Sequence, residues 1–207
     1  MKTRINHISD DWKRVKNHCR TTVNRAFTEK DATPEFKEKL LISEHTPIRQ
    51  IIFDWSWLKI PYWVAMEWAR HKFEKWITSQ RDDRMVDDTP RGKKPQEAPV
   101  QFDGDANMQQ LIDAFRKRLC FQATPEARGL GEDFKITLRQ THPQESDVLV
   151  PNCVYRFGCP EKFQDKCIFF RTFFKWATTN FPDCDLTDIQ VRYDLYNKYF
   201  YEHHVEE

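Results

Sequence analysis

The sequence predicts an α/β fold of the α+β type, in which a sheet is flanked by helices. One segment alternates apolar with polar residues, as a half-buried strand does. Several others repeat apolar residues every three to four positions, as amphipathic helices do. With 207 residues, 14% of them aromatic, the chain is long and apolar enough to bury a core of its own. We therefore expect a single domain over residues 1–207.

Three helices around one strand are predicted in the first 81 residues. Helical spacing covers residues 10–27, and a Thr-Pro pair at 33 and 34 predicts the N-cap and first turn of a second helix that ends near residue 42. Residues 48–59 alternate and predict the strand, after which Pro61 begins a third helix. The side chains expected on the buried face of the strand are Ile51, Phe53, Trp55 and Trp57.

One long loop and four further helices are predicted in the rest of the chain. Residues 82–105 hold Asp, Pro, Gly and Lys with little apolar content, which is typical of an exposed loop. Helical spacing recurs over about 108–119 and 124–138, whereas residues 139–160 hold three prolines and should be irregular. Two apolar helices follow, one with Phe163, Cys167, Phe170 and Phe174 on its core side and one carrying Ile189, Tyr193, Tyr196 and Phe200.

The charge balance excludes several classes of partner. Thirty-three Lys and Arg residues stand against 32 Asp and Glu residues, a formal net charge of +1 at pH 7. Such a balance creates no global field to attract a polyanion, so we do not expect nucleic acid as a partner. No apolar stretch resembles a secretion signal or reaches membrane-spanning length. We therefore expect a cytoplasmic protein without a membrane partner.

The six cysteines are predicted to be free thiols. Their spacing matches neither a disulfide framework nor a zinc site. Cys153, Cys159 and Cys167 are close enough in sequence for a metal site to stay open as an alternative. The aromatic neighbours of Cys167 favour a buried thiol instead, so we expect no metal.

A cationic cluster follows the predicted strand and third helix. Arg70-His71-Lys72 lies at the end of that helix, and Ser79-Gln80-Arg81 comes shortly after it. Arginine binds phosphate with a planar fork, lysine as a point charge, and a serine hydroxyl adds a donor. Ser79 and Arg81 are two residues apart and would point to the same side of an extended segment. The cluster is therefore a candidate nucleotide-phosphate site, although cations at a helix C-terminus also stabilise the helix itself.

Three pieces of this region, in order, resemble the signature of flavin-dependent thymidylate synthases. That family carries Glu-His, then about 25 residues later Arg-His-Arg, seven residues and Ser-x-Arg. Here Glu44-His45, Arg70-His71-Lys72 and Ser79-Gln80-Arg81 stand in that order, with Lys72 in place of the third Arg and six intervening residues. The stretch 148–157 is similar to a second family segment, Val-Leu-Pro-x-Asn-x-Tyr-x-Arg-Phe. The later family run Asn-x-Arg-Ser-Leu has no clean counterpart between residues 160 and 176.

The resemblance implies roles for individual residues. No protein nucleophile is expected, because the flavin and the folate would carry the chemistry. Glu67 stands where the family has a glutamine that helps to hold the nucleotide. The residues implied to contact FAD are His45, Arg70, His71 and Lys72. The residues implied to bind the substrate dUMP are Glu67, Ser79, Arg81 and Arg156.

The function implied is reductive methylation of dUMP to dTMP. Methylene-tetrahydrofolate would supply the carbon, FAD the hydride and NADPH the reducing equivalents, in a homotetramer with active sites shared between subunits. Two alternatives remain: a related flavin and folate enzyme that makes another modified pyrimidine nucleotide, and a non-catalytic relative that binds nucleotides or nucleic acid. A third alternative is that the motif matches by chance.

Overall fold

Four antiparallel strands form one sheet in this protein. The computed structural model describes residues 2–84, 89–161 and 167–204. The strands are β1 (Thr3–Ser9), β2 (Ile52–Pro61), β3 (Glu74–Ile77) and β4 (Pro99–Asn107). They lie in the order β1, β2, β4, β3, and helices flank the sheet. The predicted architecture of a sheet flanked by helices is therefore confirmed.

Most helices lie in the segments predicted for them, but two short ones fall within residues 139–160, which were expected to be irregular. Within the described residues, no helix is both long enough and apolar enough to cross a bilayer. The helices are α1 (Trp12–Thr22), α2 (Pro34–Ile42), α3 (Tyr62–Trp68), α4 (Met108–Arg118), α5 (Pro125–Arg139), α6 (Pro143–Asp147), α7 (Asn152–Tyr155), α8 (Phe169–Asn180) and α9 (Ile189–His204). Short 3-10 helices cover Thr46–Gln50, Asp82–Arg84 and Arg91–Lys93.

Strand β2 has the buried face that its alternation predicts. Ile51, Phe53, Trp55 and Trp57 are all fully buried. The strand starts later than predicted, because Thr46–Gln50 forms a 3-10 helix with Pro47 in its first turn. Across the core, the Trp57 ring lies 4.7 Å from that of Trp68 on α3, centroid to centroid, and the Trp55 ring lies 5.4 Å from that of Phe134 on α5. The opposite face of the sheet carries polar residues, among them Asp54, Asp103 and Asp105.

Three strands, β1, β3 and β4, were not anticipated from the sequence. The exposed loop expected over residues 82–105 ends earlier, because β4 begins at Pro99 and pairs with both β2 and β3. Its inward positions include Gly104 and Ala106, so its apolar alternation is weak although both residues are buried. Strand β1 is likewise short of large apolar side chains. Strands β1 and β4 are stabilised by pairing with β2, and β3 by pairing with β4, rather than by a strong local pattern.

Helix α8 buries a different side from the one predicted. Phe169, Phe173 and Ala177 are buried, whereas Phe174 is 38% exposed. The Phe173 ring meets Tyr196 and Tyr199 of α9 edge to face, at centroid distances of 6.1 and 5.8 Å. The packing of α9 therefore selects the buried side, which is one residue away from the predicted stripe. Cys167 precedes the helix, and Phe163 lies outside the described residues.

Candidate functional site

A cleft of about 520 Å³ lies where the turn after α3 meets the beginning of α4 and the 3-10 helix at residues 46–50. Its volume falls in the range of about 300–1,000 Å³ typical of ligand sites. Cationic, amide and small side chains share its wall. The lining residues are Arg49, Arg70, His71, Lys72, Asn107, Gln109, Gln110, Asp113 and Ala114.

The predicted cationic cluster lies on a turn held by two buried aromatic residues. Trp68 ends α3, is fully buried and donates its indole N–H to the Ala127 carbonyl oxygen at 3.1 Å. Phe73, only 4% exposed, precedes strand β3. Between them Arg70 and Lys72 are exposed, and His71 is half-buried. The core thus anchors both ends of the turn while the cationic side chains face the cleft.

The cleft is suited to an anion. Arg49, Arg70 and Lys72 are exposed and form no ion pair within the part of the chain that the structure describes. Asn107 caps α4 and shares a reciprocal capping box with Gln110, so the positive end of the helix dipole also lies at this wall. Asp113 lines the cleft as well, and its carboxylate lies 3.7 Å from Arg116. Unpaired cations beside a helix N-terminus favour phosphate binding.

His71 is held as a neutral ring. Its Nε2 accepts a hydrogen bond from Nε of Arg118 at 2.8 Å. Burial, and then the charges of Arg118 and Lys75, lower the pKa of His71 to about 4. The ring lies nearly parallel to that of Phe73, with an interplanar angle of 12° and a centroid distance of 6.1 Å. His71 therefore presents an uncharged imidazole to the cleft at neutral pH.

Glu67 lies beside this arrangement rather than in the wall of the cleft. Its carboxylate accepts from Nη1 of Arg118 at 2.9 Å and from the Thr124 hydroxyl at 3.1 Å. Thr124 is the N-cap residue of α5, but its side chain makes no capping hydrogen bond. A role for Glu67 toward a nucleotide stays a prediction.

Four other predicted site residues lie away from the cleft wall. His45 is exposed and precedes the 3-10 helix that carries Arg49. Arg81 pairs with Asp83, through hydrogen bonds of 2.9 and 2.8 Å, in the exposed segment after β3. The Oγ of Ser79 accepts a hydrogen bond from the Arg81 amide at 3.3 Å. Arg156 lies elsewhere, and its Nε donates to Oδ1 of Asn152 at 3.1 Å. The structure thus brings together Arg70, His71 and Lys72 only.

Glu44, the other half of the Glu-His pair, has a structural partner. Its carboxylate forms a largely buried ion pair with Arg116 on α4, and its backbone has a positive φ of 51°. The Arg116 guanidinium lies 3.5 Å from the centroid of the Tyr155 ring. The pair ties the segment before β2 to α4, and thereby helps to position Arg49 against the cleft.

Sequence reasoning missed Arg49 and Arg118. Arg49 stands next to Gln50 just before the strand, and nothing in its local pattern separates it from an ordinary surface arginine. Arg118 is in the last turn of α4, where a basic residue is expected for the helix dipole alone. Only the folded chain brings them to Arg70 and His71.

A second cavity, of about 280 Å³, is lined by Arg118 and its neighbours at the end of α4. Phe121, Phe169 and Phe170 line it together with four thiols. Burial, and then the neighbouring thiols, raise the pKa of Cys153 to about 12, so that thiol is protonated at neutral pH. Within the described ranges, no group of three or more His, Cys, Asp or Glu side chains is arranged to hold a metal ion. The thiols are those of Cys120, Cys153, Cys159 and Cys167.

The fold is that of a mixed α/β protein with an antiparallel sheet flanked by helices, and its cationic cleft lies beside the N-terminus of α4. The same fold is found in a crystal structure of the flavin-dependent thymidylate synthase ThyX from Helicobacter pylori complexed with FAD and dUMP. The TM-score is 0.58 and the sequence identity 13%, over 69% of this chain and 96% of that chain. A second crystal structure, of thymidylate synthase X (ThyX) from Helicobacter pylori with FAD and dUMP, gives a TM-score of 0.60 at 14% identity, over 72% and 99% of the two chains. No family model and no curated protein matches the sequence.

Proposed function

We propose that this protein is a flavin-dependent thymidylate synthase that binds FAD in the 520 Å³ cleft and methylates dUMP. One observation carries the proposal: the motif residues Arg70, His71 and Lys72 line a cleft together with Arg49 and the N-terminus of α4. The fold that holds this cleft is shared with ThyX structures that contain FAD and dUMP. Methylene-tetrahydrofolate, NADPH and a homotetrameric assembly in the cytoplasm complete the proposal by resemblance to the family.

The donors of the cleft fit a flavin dinucleotide. Its pyrophosphate requires cations, which Arg49, Arg70 and Lys72 supply, and the positive end of the α4 dipole lies beside them. Its flat ring system requires a surface without a competing charge. His71 meets that requirement, because burial and Arg118 keep the imidazole neutral.

The substrate dUMP is assigned to Ser79 and Arg81, with Glu67 and Arg156 as further contacts. Arg81 is now paired with Asp83, and the two side chains are 58% and 60% exposed. Such an exposed pair contributes only about 0–1 kcal/mol, so a substrate phosphate can replace the Asp83 carboxylate at little cost. In an assembly with shared sites, Ser79, Arg81 and Arg156 can complete the cleft of a neighbouring copy.

The chemistry asked of the chain itself is binding and orientation. When bound, FAD supplies the hydride and the folate supplies the one-carbon unit. Arg49, Arg70 and Lys72 neutralise the phosphates, and His71 donates one N–H in the cleft. His45 lies four residues before Arg49, on the segment that leads to the cleft, and is assigned to the flavin. A related enzyme that makes a different modified pyrimidine nucleotide would use the same residues.

The second candidate is a non-catalytic relative that binds nucleotides. It is favoured by the lack of the family's Asn-x-Arg-Ser-Leu run between residues 160 and 176. The two candidates differ in what they bind and convert. Salt-sensitive binding of a single-stranded polynucleotide would favour the second one, whereas binding of dUMP that depends on Arg81 favours the enzyme.

The test is a titration of the purified protein with FAD, followed by its absorbance spectrum. We expect stoichiometric binding that Arg70→Ala abolishes and that the matched variant Arg4→Ala retains, because Arg4 is exposed on the edge strand β1. The next step measures dTMP formation from dUMP with NADPH and methylene-tetrahydrofolate. Absence of FAD binding by the wild-type protein would reject the enzyme, and binding without turnover would select the non-catalytic candidate.

A further inference from the structure

Arg118 is held in one orientation by three hydrogen bonds. Besides the bond to Nε2 of His71, Nη1 donates to the Glu67 carboxylate at 2.9 Å and Nη2 to the Glu67 carbonyl oxygen at 2.5 Å. The Arg118 and Glu67 side chains are only 13% and 19% exposed. The Thr124 hydroxyl fixes the Glu67 carboxylate in turn. The direction of the Arg118 Nε–H toward His71 is therefore set by α3 and α5 as well as by α4.

This contact determines which nitrogen of His71 carries the proton. A guanidinium has no acceptor and stays protonated, so Nε2 of His71 must be the acceptor. The proton of the neutral ring then lies on Nδ1. Nδ1 makes no hydrogen bond within the described chain and is not among its buried unpaired polar atoms. Since His71 lines the cleft, this N–H is available to a ligand there.

We propose that Arg118 is a positioning residue that holds His71 as the Nδ1–H tautomer, so that the cleft offers a single uncharged donor to a carbonyl or phosphate oxygen of a bound nucleotide. The proposal rests on the function proposed above and adds a residue that lies outside the three motif pieces. Glu67 acts in the same network, because it holds Arg118 in place.

The charged groups around His71 support a neutral ring. Arg118 faces it from α4, and Lys75 on β3 donates to the His71 carbonyl oxygen at 3.0 Å. Arg70 and Lys72 flank it in sequence, and Glu67 is turned toward Arg118. Burial lowers the pKa of His71 most, and the positive charges of Arg118 and Lys75 act in the same direction. Because burial would keep the ring neutral even without Arg118, the tautomer is the decisive readout.

The first experiment measures that tautomer in the ligand-free protein by nitrogen-15 NMR of the histidine rings. The chain has seven histidines, and the variant His71→Gln identifies the signals of His71. We expect protonated Nδ1 and unprotonated Nε2 at neutral pH in the wild type, and loss of that tautomer in Arg118→Met. The double variant Glu67→Gln with Arg118→Met removes the carboxylate left without its partner, and it should show the same change if Arg118→Met alone folds poorly. An unchanged tautomer in either variant would overturn the proposal.

The second experiment measures the dissociation constant of FAD. Arg118→Met should raise it about tenfold, as expected for one misdirected hydrogen bond. Lys117→Met, at the exposed neighbouring position, should leave it unchanged. Equal FAD affinity in Arg118→Met and wild type would overturn the role of Arg118 and leave the proposed function intact. A wild type that shows the Nδ1–H tautomer but binds no FAD would instead reject the proposed function alone.

Discussion

The Trp55 indole packs directly over Gly104, its partner across the β2–β4 ladder. A Cβ on Gly104 would lie 2.3 Å from Cζ2 of Trp55 and 2.6 Å from Cε2. The indole cannot move away easily, because the rings of Trp57, Phe73 and Phe134 surround it at centroid distances of 5.3 to 5.6 Å. Glycine at 104 is therefore what allows a tryptophan to lie over the centre of the sheet.

Replacing Gly104 with alanine should destabilise the protein by about 1–3 kcal/mol, the usual cost of overpacking a core. The measurement is urea unfolding of Gly104→Ala against wild type. Gly129→Ala is the matched control: no atom lies near its added Cβ, and alanine in helix α5 should raise the free energy of unfolding by up to about 1 kcal/mol. Equal stability of Gly104→Ala and wild type would contradict the packing described.

Lys135 should make the stability of the protein depend on pH. Its ammonium is fully buried, donates to the Ser146 carbonyl oxygen at 2.7 Å and lies within 5.9 Å of the rings of Tyr196, Phe200 and Tyr201. Burial lowers the pKa of Lys135 from 10.5 to about 7, against a smaller opposite effect of Asp147. At pH values between about 7 and 10.5, Lys135 is protonated in the unfolded chain but neutral in the folded protein. The free energy of unfolding therefore rises with pH in this range, by up to about 1.4 kcal/mol per pH unit.

The variant Lys135→Met isolates this effect. Its free energy of unfolding minus that of the wild type should fall as the pH rises through the window from about 7 to 10.5, because only the wild type gains stability there. Denaturant unfolding at several pH values gives the difference. A difference that stays constant would mean that Lys135 keeps an ordinary pKa in the folded protein.

Asp105 should destabilise the folded state at neutral pH. It lies directly opposite Asp54 on β2 and Glu74 on β3. Burial and these two carboxylates raise the pKa of Asp105 above its ordinary value, so the penalty begins as the pH rises through that value. Asp105→Asn should therefore stabilise the protein at pH 7 by roughly 0.2–1 kcal/mol, and the gain should vanish in acid. Asp103→Asn is the control, since Asp103 faces Ser56 and Trp76 instead.

Arg49 should contribute to FAD binding although it lies outside the recognised motif. Removing one charge-assisted hydrogen bond to a phosphate costs about 1.5–3 kcal/mol, so Arg49→Ala should raise the dissociation constant roughly 10- to 100-fold. The affinity that remains should depend less on salt than that of the wild type. Arg4→Ala serves as the comparison, and an Arg49→Ala protein with wild-type affinity would remove Arg49 from the site.

Elements with a strong local signal could be predicted from the sequence. The buried face of β2 follows from four alternating apolar residues, and the start of α2 from Thr33, whose hydroxyl accepts from the Phe36 amide at 3.3 Å. Strand β4 could not be predicted in this way, because its inward positions hold small residues: Gly104 lies under Trp55 and Ala106 pairs with Phe53. The prediction of the buried side of α8 was also wrong, because packing against α9 selects that side.

What the sequence by itself determined is local: the buried side of β2, most helix positions, and the cluster Arg70-His71-Lys72 as a candidate phosphate site. The tertiary structure decided the rest of the cleft. Arg118 reaches His71 across 47 residues, and Arg116 reaches Glu44 across 72. Periodicity and capping act over a few neighbouring residues, whereas such contacts exist only once helix α4 packs against the sheet. That packing gives His71 its neutral tautomer and brings Arg49 to the same cleft.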